Sequence, residues 1–455
     1  MKPLHFVVLS CTYLTISCGK QIDEPVVKIE PTNSEILSAA IPNGYVHGDT
    51  MIIDGYVLRY NINNTGDSLE AFINAKRPAK KVRFNIYTPK GAIADYVYAD
   101  SVTPQKITNT QPYMNGYGYK YKLTFRFTKT LPSGVYTISK KIFFLVKNAA
   151  QTGQVAMLLH TNTHMGYNTA GGASIYTTGV TAVSSQRPWK QDRYGAEIIK
   201  WNETPYAFDW YTDLDMDNYS SIAPYKLLVI VGHSEYWSFE ARANLDKFIA
   251  AGKNVLVLSG NSLWWQVRYS ADKTQMICYK KLIDPVATGI YRTTNFHALP
   301  GQSGVNTIGA NFVYGGYGDQ VDSGWDGFKI LAPNNPLFAG TNLAYENIVS
   351  CPPHELDGAP TRFIAGKIHP VIDTVNMPFK KAELLAYDLG VRNGARTVGT
   401  FIAIRKTDSS GVVVNVGNTD WCSARGFNGP HGAILKQITK NAIIQMYNST
   451  NVFTP

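Results

Sequence analysis

Residues 227–268, LLVIVGHSEYWSFEARANLDKFIAAGKNVLVLSGNSLWWQVR, leave this chain few ways to fold. Leu227 to Val231 is an apolar, β-branched run, long enough for a buried strand and too short for a helix. Ser238 reads as a helix N-cap, with Glu240 in the first turn where the helix dipole favours an acid. Ala241, Leu245, Phe248 and Ile249 recur at helical spacing, and Gly252 supplies the glycine that ends a helix. Asn254 to Leu258 reads as a second buried strand, so the stretch predicts a strand–helix–strand unit of a parallel α/β sheet. Gly232-His-Ser-Glu-Tyr-Trp237 then falls at the carboxyl end of a central strand, where open α/β sheets gather their ligands.

The flanking sequence divides the chain. Lys2 precedes an apolar run from Leu4 to Ile16, and Ser17 stands before Cys18, the pattern of a signal peptide with a lipoprotein-type cleavage site. Residues 1–18 are therefore expected to direct export, with Cys18 lipidated, anchored in a bacterial cell envelope on the periplasmic or cell-surface side of the outer membrane. Residues 19–44 are polar and proline-containing, as a tether would be. Residues 45–148 change to period-two alternation: Val82, Phe84 and Ile86 in one set, and Tyr119, Tyr121, Leu123, Phe125 and Phe127 in another. About seven short strands over roughly 100 residues predict an immunoglobulin-like β-sandwich, with no catalytic constellation of its own.

After a linker near 147–152, residues 152–450 predict the α/β domain. Val155 to Leu159 is its first strand, and His160 to Tyr176 reads as a loop rich in polar residues, glycine and tyrosine. Ser185 to Trp189 reads as another loop, and Tyr206 to Asp215 as a strand ending in an acidic turn. Residues 270–350 look like an insertion containing an aromatic loop, Val313 to Asp319, and Cys351 to Gly358 looks like an acidic turn. Thr400 to Ile404 and Gly411 to Val416 form a hairpin-like pair, Gly417 to Trp421 a loop, and Ile434 to Tyr447 a closing helix.

Composition narrows the function classes. The net charge of +10 is not gathered into a basic block, so no nucleic-acid partner is expected. Cys278, Cys351 and Cys422 cannot all pair and show no CxxC spacing, which leaves neither a disulfide scaffold nor a zinc ribbon; at most one bridge is open to them.

Three chemistries fit the residues. Ser234 in Gly-His-Ser-Glu could be a nucleophile, with Asp420 and His431 downstream as partners, although Tyr236 stands where a nucleophile elbow has its second glycine. Alternatively, His233 and Glu235 face one side of an extended segment, and Glu235 with Tyr167 and Tyr176 could offer three anionic oxygens to a hard cation. A phenol ionises near pH ~10 in water, so such a site needs a strong Lewis acid, and ferric iron would serve. In the third reading these side chains only satisfy strand-end backbone groups, and the domain is a non-catalytic surface protein binding glycans or peptides.

Gly232-His-Ser-Glu-Tyr-Trp-Ser238, followed by Arg242, Asp246, Phe248 and Leu258-Ser-Gly-Asn-Ser-Leu-Trp-Trp-Gln-Val-Arg268, resembles the C-terminal domain of the N,N-dimethylformamidase large (beta) subunit. Tyr167-Asn168, Gly171-Gly-Ala-Ser-Ile-Tyr176 and Gly417-Asn-Thr-Asp-Trp421 are similar to further motifs of that family. The resemblance implies a β-sandwich before a flavodoxin-like, class I glutamine-amidotransferase-like α/β domain. It also implies one iron ion held by Tyr167, Tyr176 and Glu235, with His233 and Glu355 as catalytic residues in hydrolysis of an amide C–N bond. A lipoprotein-type leader departs from a cytoplasmic dimethylformamidase and points to a larger amide, small-molecule or oligomeric.

Overall fold

The computed structural model describes residues 44–58, 61–63, 68–147, 153–189, 193–321, 324–377 and 379–455. The expected leader, Cys18, nearly all of the tether and most of the linker at 147–152 lie outside the described residues. Strands dominate the mixed α/β fold.

The N-terminal strands form two sheets. Val46–His47, Ala79–Tyr87, Ile93–Val102, Gly134–Ile138, Ile142–Lys147 and Asn61–Asn63 make the larger, and Ile52–Val57, Leu69–Ala75 and Lys122–Phe125 the smaller. One apolar cluster draws on both, with Val82, Phe84, Ile86 and Phe144 from the larger and Ile52, Leu69 and Phe125 from the smaller. The alternation predicted through Tyr121 stops short: the strand is only Lys122–Phe125, and Tyr121 is 60% exposed. Tyr119 instead donates to Asp54 Oδ1 at 2.7 Å and stacks on Tyr56, which draws the chain off the ladder.

The α/β part is built on β1 (Val155–Leu159), β2 (Phe208–Thr212), β3 (Leu227–Gly232) and β4 (Asn254–Ser259). Helix α1 (Thr161–Tyr167) follows β1, and α2 (Phe239–Ala250) joins β3 to β4. Further along come β5 (Asn311–Tyr317), β6 (Glu355–Gly358), β7 (Lys381–Arg392), β8 (Ala395–Arg405), β9 (Val412–Asn415) and α3 (Gly432–Tyr447). The sheet runs β2-β1-β3-β4-β9-β8-β7-β5-β6. Its first five strands are parallel and the rest antiparallel.

Burial on both faces explains the unbroken apolar runs. Met157, Val229 and Leu256 pack on one side with Leu435, Ile438 and Ile443 of α3. Leu158, Ile230 and Val257 pack on the other with Leu245, Phe248 and Ile249 of α2. Helix α2 is as the sequence predicts: the Ser238 hydroxyl accepts from the Ala241 N–H at 2.9 Å, and Gly252 lies just beyond the end with φ +79°. The chain passes from β1 to β2 on one side and then to β3 on the other, so the strand order reverses between β1 and β3, the point at whose carboxyl ends open α/β sheets place their ligands.

Three segments differ from expectation. His160 to Tyr167 is mostly helix rather than loop, because Asp213 Oδ2 accepts from the first-turn Asn162 N–H at 2.7 Å and from the Thr161 hydroxyl. Val313 to Tyr317 is part of a strand, and the predicted turn at 351–358 ends in β6, which pairs with it at Tyr317↔Glu355. The glycines that suggested a loop serve close packing instead: a Cβ on Gly315 would lie 2.0 Å from the Leu356 carbonyl oxygen. Finally, Cys278, Cys351 and Cys422 are all free and buried, so the one bridge open to them is not made.

Candidate functional site

The site begins at a strained turn. Gly232 ends β3 with φ +84°, and a Cβ there would sit 2.2 Å from His160 Cε1, so glycine is required by both conformation and space. His160 is itself tied to the strand through Nδ1, 2.8 Å from the Val231 carbonyl. Past the turn, the chain is pinned on both sides. The Ser234 N–H donates to Ser259 Oγ at 2.9 Å, and the Glu235 N–H to Thr163 Oγ1 at 2.8 Å. The Glu235 carbonyl accepts from the N–H groups of Trp264 and Trp265, both at 2.9 Å.

Two phenols reach this carboxylate. Tyr167 is the last residue of α1, and Tyr176 lies in the following loop, where the Ile175 N–H donates to the Gly166 carbonyl at 3.0 Å. The Tyr176 hydroxyl donates to Glu235 Oε1 at 2.8 Å, lies 3.1 Å from Oε2, and is 2.8 Å from the Tyr167 hydroxyl. From the other side, His233 Nε2 stands 2.9 Å from Glu355 Oε2 and 3.7 Å from Glu235 Oε2. Tyr167, Tyr176, His233, Glu235 and Glu355 therefore come together from α1, its following loop, the β3 turn and the start of β6. His233 and Glu235 are neighbours but one and the two tyrosines are 9 positions apart, while the other pairs are distant in sequence.

Electrostatics keep the phenols protonated in this state. Burial of the hydroxyl ends, then the charge of Glu235, push Tyr167 and Tyr176 well above the usual phenol range, although 42% and 49% of the two residues stay exposed. Burial also raises Glu235, with His233 opposing it. Burial works on Glu355 too, but His233 and the Asn261 amide, which donates to Oε2 at 3.2 Å, hold this carboxyl below its usual range. Among the described residues, no group of three His, Cys, Asp or Glu side chains is arranged to hold a metal ion. A cation here would thus depend on the phenol oxygens. Three convergent oxygens, two of them phenolic, suit a hard, strongly acidic ion.

Four residues without an assigned role complete the arrangement. Lys280, buried enough that its pKa is lowered, places Nζ 3.2 Å from the centroid of the Tyr176 ring, 5.1 Å from that of Trp265 and 5.4 Å from that of Tyr236. Asn261 adopts φ +48° at the carboxyl end of β4, a strained polar turn of the kind that marks functional sites. Tyr194 sets its ring 5.0 Å from that of His233. Arg187, fully buried, donates to the carbonyls of Met165, Asn168, Ala170, Ala173 and Ser184, holding the loop between the two tyrosines. Asn261 was discoverable as a strand-end polar residue. Lys280 carries no local signal, since its partners lie far away in sequence.

The serine alternative finds no support in geometry. Ser234 is 1% exposed and its Oγ accepts from Trp237 Nε1 at 3.0 Å. Asp420 accepts from the His354 N–H and the Ser423 hydroxyl, and His431 Nδ1 from the Ser350 N–H. Among the described residues, no hydrogen bond joins Ser234 to either of them.

The family described as N,N-dimethylformamidase beta subunit-like, C-terminal, matches residues 83–430. The chain belongs to this family. All five residues of the cluster in this dimethylformamidase-like chain fall within the matched span. No curated protein matches the chain. Among solved structures, a ThuA-like protein from Bacteroides uniformis is similar at 12% identity and a TM-score of 0.31, over 55% of this chain and 82% of that one. A β-galactosidase from Bacillus circulans sp. alkalophilus is similar at 11% identity and a TM-score of 0.31, over 64% of this chain and 31% of that one. No helix among the described residues is long and apolar enough to cross a membrane.

Proposed function

We propose that this dimethylformamidase-like protein is an iron-dependent hydrolase of an amide-type C–N bond, anchored in a bacterial envelope through lipid on Cys18. Its architecture, in this reading, is an immunoglobulin-like sandwich ahead of a flavodoxin-like core extended by antiparallel strands. The observation that carries the reading is the convergence of Tyr167, Tyr176 and Glu235 on one point, with Tyr176 Oη 2.8 Å from both neighbouring oxygens. These three would hold the ion. When bound, ferric iron would supply the acidity that ionises phenols and activates water near neutral pH.

The chain's own residues handle the proton and the geometry. In the reaction, water oxygen bonds to the carbonyl carbon, the C–N bond breaks, and one proton passes from water to the departing nitrogen. His233 is suited to carry it, with Glu355 at 2.9 Å fixing the imidazole. Glu355, held anionic, serves as the proton's second station. Lys280, with Nζ 3.2 Å from the centroid of the Tyr176 ring, holds that ring in place by a cation–π contact. The half-exposed tyrosine rings form the open side, where an amide larger than dimethylformamide can enter.

The test is metal binding and turnover together. The purified full chain should take up one ferric ion with a visible phenolate-to-iron absorption band, and release amine from members of a linear amide library. Tyr176→Phe and Glu235→Gln should lose the band. Colourless protein that takes up no iron and instead retains glycans on a column would favour the surface binder and sink the enzyme.

A further inference from the structure

The N-terminal sheets do more than precede the site. Residues 108–119, between Ile93–Val102 of the larger sheet and Lys122–Phe125 of the smaller, form an arm that reaches the loop between Tyr167 and Tyr176. Its base is fastened to the sandwich, where the Tyr119 hydroxyl donates to Asp54 at 2.7 Å and the Tyr119 N–H to the Tyr56 hydroxyl at 3.3 Å. Its tip, a single helical turn at Pro112–Asn115, is braced by the Asn109 amide donating to the Asn115 carbonyl at 2.7 Å.

Four contacts join the tip to the tyrosine loop and the strands beside it. The Tyr117 N–H donates to the Gln186 carbonyl at 2.9 Å, next to the Arg187 clasp. Gly171 adopts φ +87°, and a Cβ there would lie 2.5 Å from the Tyr113 nitrogen, so the two backbones touch with no room for a side chain. Gln275 donates to the Met114 carbonyl at 2.9 Å. Ala170 completes the seam by packing on the Tyr56, Tyr117 and Tyr119 cluster.

We infer that the arm is a positioning element for the candidate site: Tyr117 and the glycine contact at Gly171 hold the 168–176 loop so that Tyr176 meets Glu235. Physically, a loop of this length closed by few apolar contacts opens at low cost, and the arm supplies the contacts it lacks. Tyr117 and Gly171 touch none of the five clustered side chains, so their effect passes through the loop. The catalytic unit then includes the N-terminal module, and the α/β domain alone would hold the phenols loosely. The inference rests on the reading of the site above only for what the phenols bind.

The decisive measurement is hydrogen–deuterium exchange on the full chain, which needs neither iron nor substrate. Tyr117→Ala and Gly171→Ala should each speed amide exchange over 168–176 by about tenfold or more, with β1, β3 and β4 unchanged. Tyr121→Ala, which trims an exposed ring on the same segment, is the control and should leave the loop as it is. Unchanged exchange over 168–176 in both variants, with the chain folded, overturns the inference. Titration with ferric ion then separates the two readings. Wild type that binds no iron refutes the metal site and leaves exchange to judge the arm. If wild type binds, a loss of about tenfold in apparent affinity in both variants supports the arm, and equal affinity counts against it.

Discussion

Replacing Arg187 with lysine tests how the tyrosine loop is held. The guanidinium is fully buried and serves five carbonyl oxygens: Met165 at 2.7 Å, Asn168 at 2.8 Å, Ala170 at 2.9 Å, Ala173 at 3.1 Å and Ser184 at 2.8 Å. Arginine can do this because its five N–H donors spread over a rigid planar fork. Lysine keeps the charge but offers three donors from one atom, so at least two of these carbonyls lose their partner. Leaving a buried acceptor unsatisfied costs about 1–3 kcal/mol, which puts Arg187→Lys at roughly 2–5 kcal/mol once the loop relaxes toward water. Urea unfolding monitored at two wavelengths reads the global loss, and amide exchange over 165–173 shows where it falls. The loop should open before the sheet does, and turnover should drop with it. A lysine variant within about 0.5 kcal/mol of wild type, with unaltered exchange, would refute the view that this fork organises the loop.

Other outcomes follow from single contacts. Gly232→Ala must place a Cβ at φ +84° against the His160 ring and should cost at least about 3 kcal/mol, visible as a lowered Tm. Glu355→Gln should retain ferric uptake while kcat falls by about 10²–10⁴, because the His233 imidazole loses the carboxylate that orients it and takes up its proton. Ser234→Ala should leave turnover within a few fold, and abolished turnover would restore the serine route. Burial pushes Asp213 up to about 7, above its unfolded value, so the folded state binds the proton more tightly and stability falls as pH rises from about 4 through about 7. Asp357 and Asp388, raised to about 7 by burial as well, add in the same sense. Asp213→Asn keeps the acceptor for Asn162 and should flatten a share of that slope worth up to about 4 kcal/mol in urea melts between pH 4 and pH 8. An unaltered slope in that variant would count against a buried carboxyl.

The sequence by itself determined the parallel half of the sheet. Runs such as Leu227 to Val231 and Val255 to Leu258 are apolar at every position, because helices α2 and α3 cover both faces. Local chemistry was equally legible where it is self-contained: the Ser238 cap, the glycine past α2, and the polar turn carrying His233 and Glu235. Family motifs brought Tyr167, Tyr176 and Glu355 beside them. Only the tertiary structure decided the rest, because it depends on partners distant in the chain. Helix α1 forms where Asp213 caps it, and β5 and β6 are strands because their glycines admit each other's backbone. Lys280 matters because Tyr176, 104 positions earlier, lies beneath it, and Arg187 because five carbonyls turn toward it. Hydrophobic period is a local property that a chain carries in its order of residues. The meeting of a cation with a ring, or of two glycine backbones, exists only after folding has closed the long loops between them.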